Sequence, residues 1–278
     1  VGSEMCIRDS HGSANQADKK GRGVEMDGGN LVVRDKRYIL PIVTVGLSTA
    51  GLIVAVLNFF GPRYAGMLFR GFLLTVQVTF FGAAVGLALA ILLAVGDIYG
   101  GKVISTIVKT YVEFFRGSPI ISQLFIGYYA LPAILNIHMD PTVLGFLIFA
   151  LNSAAYQKGY VKGAIESVYK DQIMAALSLG LSKAQALRYV VLPQAMRLVI
   201  PPWGNEFCSL AKSTAALLVL PGAMDLASAS RAIASWTWKH IETYGFTALI
   251  YLLWLSVMMK ILDIVYDKIK IPGVEIVI

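Results

Sequence analysis

The sequence predicts an all-α integral membrane protein, and two observations lead to that fold class. Apolar residues make up 56% of the 278 residues and charged residues only 15%, against about 25% charged residues in typical soluble domains. Long stretches without a charge recur along the chain, and a helix that crosses the hydrocarbon of a bilayer needs roughly 20 such residues. This composition excludes a disordered chain, a nucleic-acid-binding domain built on dense charge and most soluble enzymes.

These uncharged stretches predict six membrane-spanning helices. The fifth is the least regular, because Pro201, Pro202, Glu206 and Lys212 interrupt it. A kink is expected at Pro132 in the third span. Lys158 is expected to end the fourth and to reach the membrane surface with its long side chain. The predicted spans are residues 38–62, 71–96, 117–139, 141–157, 198–224 and 243–259.

The positions of lysine and arginine predict the orientation of these helices, because cytoplasmic segments of membrane proteins carry the excess of positive charge. If the N-terminus is cytoplasmic, 19 of the 24 Lys and Arg residues fall in cytoplasmic segments. The opposite orientation would invert that ratio. Both termini are therefore expected in the cytoplasm.

The residues before the first span are polar, glycine-rich and without periodicity, so residues 1–36 are expected to form a disordered cytoplasmic tail. Residues 1–10 resemble the translation of a sequencing adapter and are assigned no function. Cys6 and Cys208 cannot build a disulfide scaffold or a cysteine metal cluster. The three histidines are scattered along the chain, so no catalytic or metal site is expected.

The segment between the fourth and fifth spans predicts two helices joined at a sharp corner. Residues 165–179 form the first helix, and Gly180 ends it because glycine accepts the left-handed conformation at low cost. Ser182 and Gln185 have the spacing of a capping box at the start of a second helix, which is expected to end before Pro193. The alternative is an ordinary hairpin at the membrane surface.

Several motifs of this chain resemble type I ABC-transporter permeases. Ala175-Ala176, Gly180 and the Val190, Leu192, Pro193 group are similar to their Glu-Ala-Ala, Gly, Ile-x-Leu-Pro signature. Residues 111–119 resemble the Glu-Leu-Phe-Arg-Gly-Thr-Pro element of the polar amino acid (histidine/glutamine-type) uptake branch. The later blocks of that branch resemble residues 192–197, Asn205, residues 212–214 and residues 242–244. The similarity covers residues 71–268 and leaves the tail and the first span as additions to a five-helix core.

Two positions depart from the family pattern. Met174 stands where the signature has its glutamate, so one charged contact to the ATPase is missing unless Asp171 replaces it. Gly159 stands where relatives usually carry a glutamate, which in some members helps to read a cationic substrate. This second departure favours a neutral or acidic substrate.

The resemblance implies a permease domain at residues 71–268 with no catalytic activity and no bound cofactor. ATP and Mg would be used by a partner, the ABC ATP-binding subunit. That partner would dock on the coupling segment 165–193, with contacts or geometry supplied by Ala175, Ala176, Gly180, Ser182, Gln185 and Pro193. An extracytoplasmic amino-acid-binding protein and a second permease chain, identical or different, would complete the importer in the cell membrane.

Lys212 is the strongest single candidate for a residue of the translocation path. A lysine near the centre of a membrane helix costs about 2.5–3.5 kcal/mol, so it normally faces the bundle interior or water. Ser213 and Thr214 add hydroxyl groups beside it, and a substrate carboxylate is the expected partner. The alternatives are a pair with Glu206 or a side chain that reaches the membrane surface.

Three further residues are candidates for the same path. Asn152 and Tyr156 are four apart on the fourth span and share a helix face, and Asn205 belongs to a family block. Asn152 and Tyr156 either line the path or hydrogen-bond neighbouring helices, which is the commoner use of such residues in membranes.

Other functions are weaker alternatives. An ion-coupled secondary transporter would be expected to show internal repeats and buried carboxylates, and a permease for another small solute stays open. Residues 96–102 fit the first seven positions of a P-loop, but Val103 stands where the magnesium-binding Ser or Thr is required. An intramembrane enzyme lacks paired catalytic residues.

Overall fold

The structure is a computed structural model that describes residues 23–27, 30–34 and 36–269. Within these residues the chain forms a β-hairpin, β1 (Gly23–Asp27) and β2 (Asn30–Arg34), followed by α-helices. The helices are α1 (Lys36–Tyr99), α2 (Gly101–Gly117), α3 (Ile120–Phe125), α4 (Leu131–Leu135), α5 (Pro141–Ser178), α6 (Lys183–Ala186), α7 (Leu192–Ser213), α8 (Leu226–Thr237) and α9 (His240–Ile269).

The hairpin differs from the disorder expected over residues 1–36. β1 and β2 are antiparallel, with Val24 opposite Val33 and Met26 opposite Leu31. Val24 and Met26 alternate with polar or glycine residues in β1, whereas Leu31 and Val33 flank the apolar Val32 in β2. The short strands escape a search for helical periodicity. Residues 1–22, including the adapter-like segment, lie outside the described residues.

α1 contains both of the first two predicted spans. The chain is helical between these two spans as well, over residues 62–71, and departs from helical geometry at Gly61. Gly61 has φ +77°, a conformation that glycine adopts without steric penalty. Pro62 then opens the second helical part, a position where proline's missing N–H group is harmless.

The third predicted span, residues 117–139, contains only the second of two helical segments that meet at a sharp bend, since α2 precedes the predicted span. α2 and the segment Ile120–Leu135 meet at 105° across the Gly117-Ser118-Pro119 corner. Inside the second segment a π-helical turn, Ile126–Ala130, separates α3 from α4. Leu131 and Pro132 follow this turn directly, so the irregularity expected at Pro132 lies in the turn before it.

A second π-helical turn, Leu187–Val191, separates α6 from α7 and is again followed by a Leu-Pro pair. The helix was expected to end before Pro193, and this expectation is wrong. Proline clashes with the carbonyl four residues earlier in a regular α-helix, and a wider π turn relieves that spacing. The helical path therefore continues through Pro193, and α7 also contains Pro201 and Pro202.

α5 is one continuous helix of 38 residues, although the fourth predicted span was expected to end at Lys158. Asp140 caps its start by accepting hydrogen bonds from the backbone N–H groups of Thr142 and Val143. At 1.5 Å per residue the helix is about 57 Å long. It exceeds the roughly 30 Å hydrocarbon layer of a bilayer, so a helix that crosses a membrane here continues well beyond it.

Two apolar clusters hold the helices together. The first contains Phe149, Phe207 and Trp254 of α5, α7 and α9, and the second contains Ala90, Val161 and Val191. Small residues of α1 allow close approach to α5: a Cβ atom on Gly86 would lie 2.9 Å from the Nε2 atom of Gln157. Close packing of this kind is typical of membrane helices.

Of the described residues, two helical stretches are long and apolar enough to cross a membrane by themselves, Val54–Tyr99 and His240–Lys268. The bent pair formed by α2 and Ile120–Leu135 adds a third candidate, either as a broken span or as a re-entrant loop. Length and composition therefore support a membrane protein without fixing six spans.

Candidate functional site

The corner predicted at Gly180 is a Schellman motif at the end of α5. The Gly180 N–H group donates to the carbonyl of Leu177 (3.0 Å), and the Leu181 N–H group donates to that of Ala176 (3.2 Å). Gly180 has φ +83°, the left-handed conformation that this motif requires. Ala176 and Leu181 pack in the same apolar cluster, so both hydrogen bonds and packing fix the corner.

The capping box predicted after the corner is also present. The backbone N–H of Gln185 donates to the Ser182 hydroxyl (3.3 Å), and the backbone N–H of Ser182 donates to the Gln185 side chain (2.9 Å). Two helix-terminal donors are thereby satisfied reciprocally. The direction in which the chain leaves α5 is consequently well determined.

We call the exposed residues around this turn the corner surface. Of the residues predicted to couple to an ATPase, Ala176 is buried and the others are exposed. Large apolar side chains accompany them, and Met174, Leu179 and Tyr189 are 65%, 83% and 64% exposed. The corner surface consists of Met174, Ala175, Leu179, Gly180, Ser182, Gln185, Tyr189 and Pro193.

A polar cavity of about 410 Å³ lies between α2, α3, α5 and α7. Asn152, Tyr156 and Ser213, three of the residues predicted for the translocation path, line it together. Its other lining residues are Arg116, Gly117, Ser118, Pro119, Ile120, Glu206, Ser209 and Leu210. The cavity thus offers a cation, a carboxyl group and several neutral donors to one small solute.

The charged groups of the cavity contact α5. The Arg116 guanidinium lies 5.2 Å from the centroid of the Tyr156 ring, a distance at which a cation is attracted to the ring face. Glu206 is buried, and its Oε1 atom accepts a hydrogen bond from the Ser153 hydroxyl (3.3 Å). Both charged side chains are therefore held near α5.

Neutral groups fix the wall of the cavity. The Gln123 amide donates to the carbonyls of Phe115 (2.9 Å) and Ser118 (3.1 Å), and its oxygen accepts from Asn152 (3.1 Å). Asn152 also donates to the Phe115 carbonyl (3.2 Å). Asn152 therefore lines the cavity and hydrogen-bonds neighbouring helices, so its two alternatives are not exclusive.

The other predicted path residues lie elsewhere. Lys212 is exposed and lines a separate groove of about 760 Å³ with Cys208 and Tyr251. Asn205 is exposed and seven residues before Lys212, so it lies on the same side of α7. Thr214 is fully buried and donates to the Ala211 carbonyl (2.8 Å). The structure therefore groups Ser213, but not Lys212 or Thr214, with Asn152 and Tyr156.

Sequence reasoning missed a charged cluster at the end of α1. Asp97 contacts Lys158 (2.5 Å) and Lys162 (2.8 Å), and the Ser105 hydroxyl donates to the same carboxylate (2.6 Å). Lys158 was expected at the membrane surface, and this is wrong, because it is buried against Asp97. The sequence signal for this cluster was Asp97, a single acidic residue directly after the uncharged residues 71–96. Its partners Lys158 and Lys162 are four residues apart and therefore share a helix face.

In the part of the chain that the structure describes, no group of three or more His, Cys, Asp or Glu side chains has the arrangement of a metal site. The corner and the cavity together define a class: a helical membrane protein with a polar cavity among its helices and a rigid, exposed turn on a helix longer than a bilayer. The chain belongs to the family of binding-protein-dependent transport system inner membrane components, whose model matches residues 86–270.

Individual relatives agree with this family. The glutamine transport system permease protein GlnP of Escherichia coli (strain K12) is 31% identical over 206 residues, which are 74% of this chain and 94% of the relative. The L-cystine transport system permease protein TcyL of Bacillus subtilis (strain 168) is 33% identical over 186 residues, 65% of this chain and 75% of the relative.

Solved structures agree as well. A crystal structure of an amino acid ABC transporter with histidines matches with a TM-score of 0.68 and 30% identity, covering 74% of this chain and 95% of that one. The MetNI methionine ABC transporter in an inward-facing form matches with a TM-score of 0.61 and 18% identity, over 76% and 99% of the two chains. The second likeness shows the fold alone, which is that of type I ABC permeases.

Proposed function

We propose that this chain is the permease subunit of an ATP-driven importer of amino acids, in which a separate ATP-binding subunit hydrolyses ATP. The family match and the amino acid permeases among its relatives carry this proposal. The polar cavity supports it physically, because a small zwitterion needs both charged and neutral partners when it leaves water. The chain itself catalyses no reaction in this scheme.

The corner surface is the proposed contact with the ATP-binding subunit. Exposed apolar side chains rimmed by polar groups are typical of protein interfaces, and Met174, Leu179 and Tyr189 satisfy that description. Because the Schellman motif fixes the corner relative to α5, movement of the ATP-binding subunit would reach the cavity-lining part of α5. A two-state equilibrium biased by a partner requires such a differential contact.

The proposed complex also includes a second permease chain and an extracytoplasmic amino-acid-binding protein. The proposed chain crosses the cell membrane six times and has both termini in the cytoplasm. The excess of Lys and Arg in the segments that this topology places in the cytoplasm supports it.

Reporter fusions after residues 65 and 269 test this topology. Opposite locations for the two fusion points would support it, and the same location would contradict it.

A neutral or acidic amino acid is the proposed substrate. A Cβ atom at Gly159 would meet nothing within 4 Å, so this exposed position of α5 offers open space and no carboxylate. Arg116 supplies a cation to the cavity. In competition experiments, unlabelled glutamine or glutamate should block uptake of labelled glutamine better than arginine does, and preferred competition by arginine would reject this assignment.

The experiment that tests the proposed function is uptake by proteoliposomes. The chain, its ATP-binding partner and the binding protein are reconstituted, and labelled glutamine is supplied with internal ATP or with an ion gradient. ATP-dependent uptake that disappears without the ATP-binding subunit is expected. Uptake driven by the ion gradient without ATP would identify a secondary transporter instead.

A further inference from the structure

The cluster around Asp97 joins three helices through one carboxylate. Its Oδ2 atom accepts from the ammonium groups of Lys158 (2.5 Å) and Lys162 (2.8 Å), both on α5. Its Oδ1 atom accepts from the hydroxyl of Ser105 on α2 (2.6 Å). Asp97 itself belongs to the end of α1. The carboxylate therefore connects α1, α2 and α5 at one point.

Because this cluster is buried, Asp97 and Lys158 depend on each other as specific charged partners. The Asp97 side chain is 1% exposed and that of Lys158 is 10% exposed. A buried ion is tolerated when partners satisfy its hydrogen-bonding groups, and removal of one partner leaves the other charge uncompensated. The hydrogen bond with Asp97 also raises the pKa of Lys162, because the carboxylate stabilises the charged ammonium.

The position of the cluster relates it to both functional features. From Lys162 the helix α5 continues without interruption to the Gly180 corner. From Ser105 the helix α2 continues to Arg116, which lines the polar cavity. The contact between Asp97 and α5 therefore lies between the corner surface and the cavity wall.

On the basis of the proposed function, we propose that Asp97 is a positioning residue for transport, which makes the α1–α2 turn follow α5 when the ATP-binding subunit moves the corner. The arrangement satisfies the physical condition for coupling between distant sites, a contiguous chain of rigid helices and specific contacts. A buried pair that serves stability alone is often replaceable by apolar side chains. A positioning role instead demands the carboxylate.

The experiment compares Asp97→Asn with the conservative variant Asp97→Glu in the full reconstituted importer. The measured quantity is the coupling ratio, moles of labelled glutamine taken up per mole of ATP hydrolysed by assembled complex. Asp97→Asn should lower this ratio about fivefold or more, the lower range of measured allosteric couplings. Asp97→Glu should keep the ratio within about twofold of wild type, since the charge is retained.

Milder variants keep the proposal testable if Asp97→Asn does not fold. Lys158→Gln and Ser105→Ala each remove one of the three contacts, and both should lower the coupling ratio, the first by more. Glu166→Gln is the matched control. Glu166 is 59% exposed, and its carboxylate lies at the longer distance of 3.8 Å from the Lys162 ammonium, so this variant should leave the coupling ratio unchanged.

The outcomes separate this inference from the proposed function. If wild-type complex takes up no glutamine with ATP, the proposed function itself fails. If wild type is active and the variants lose thermal stability while their coupling ratios stay at the wild-type value, Asp97 is structural and the inference is overturned.

Discussion

The two halves of α5 are fixed by different chemistry. Along residues 141–157 α5 contributes only neutral groups to the contacts described above: Asn152 contacts Gln123, and the Gln157 amide donates to the Ala83 carbonyl (3.1 Å) and to Ser153 (2.8 Å). The charged groups of the cavity, Arg116 and Glu206, also meet neutral side chains of this half. Beyond that point Lys158 and Lys162 contact Asp97. Neutral hydrogen bonds are the inexpensive way to join helices within a membrane, whereas charges are tolerated where a helix approaches water. The change in chemistry thus coincides with the proposed membrane boundary.

The largest effect is expected from Gly86→Val, which tests the neutral half. A Cβ atom there would lie 2.9 Å from Gln157 Nε2 and 3.2 Å from the Ala154 backbone nitrogen, so α1 and α5 must separate. Overpacking costs about 1–3 kcal/mol, and the lost hydrogen bonds of Gln157 add about 1–3 kcal/mol. A large fall in the thermal midpoint in detergent is expected.

The matched control for this substitution is Gly66→Val. Gly66 lies in α1 with nothing within 4 Å of its Cβ position, so the change in helix propensity is the same and the steric clash is absent. Equal destabilisation by both variants would show that the close approach at Gly86 contributes nothing.

Gly180→Val tests the other end of α5. A non-glycine residue in the left-handed conformation costs roughly 1–2 kcal/mol, and the corner relaxes to avoid this strain. Because about 1.4 kcal/mol corresponds to a tenfold change in an equilibrium, ATP-dependent uptake should fall about tenfold. Gly180→Asn should lose less, since asparagine tolerates this conformation better. Unchanged uptake by Gly180→Val at normal expression would refute the role of the corner.

Gln123→Leu should give a smaller effect on stability. It removes donations to Phe115 and Ser118 and leaves Asn152 without its amide acceptor. Unsatisfied buried groups cost about 1–3 kcal/mol each in proteins, but hydrogen bonds between membrane helices average about 0.6 kcal/mol. We expect a loss of about 1–2 kcal/mol in the free energy of unfolding, and a loss below that found for Ser182→Ala would contradict the proposed importance of the network.

Ser182→Ala is expected to have the smallest effect. Loss of an N-cap hydroxyl costs about 1 kcal/mol, and the cap here serves the four-residue helix α6. Ser178→Ala is the control, because that hydroxyl donates only to the Met174 carbonyl within the same helix. The difference between the two thermal midpoints reports the cap, and equal midpoints would indicate that packing alone fixes the corner.

Local signals predicted the corner well and the continuity of the helices poorly. Gly180, Ser182 and Gln185 act through neighbours within a few residues, so their spacing sufficed. Pro193 was expected to end a helix, because a single Leu-Pro pair in a sequence does not indicate that a π-helical turn precedes it. Ile126–Ala130 and Leu187–Val191 both precede such a pair, so comparison of the two would have revealed the pattern.

The sequence by itself determined the class of protein, the type of its elements and the residues of its corner, because hydrophobicity and capping are local properties of the chain. Tertiary structure decided which polar residues meet. Ser213 and Lys212 point in different directions from the axis of α7 and therefore line different surfaces. Packing of α1 against α5 brings Asp97 into contact with two lysines that follow it by more than sixty residues. Such contacts depend on helix rotation and register, which are set by the shapes of all the packed side chains together.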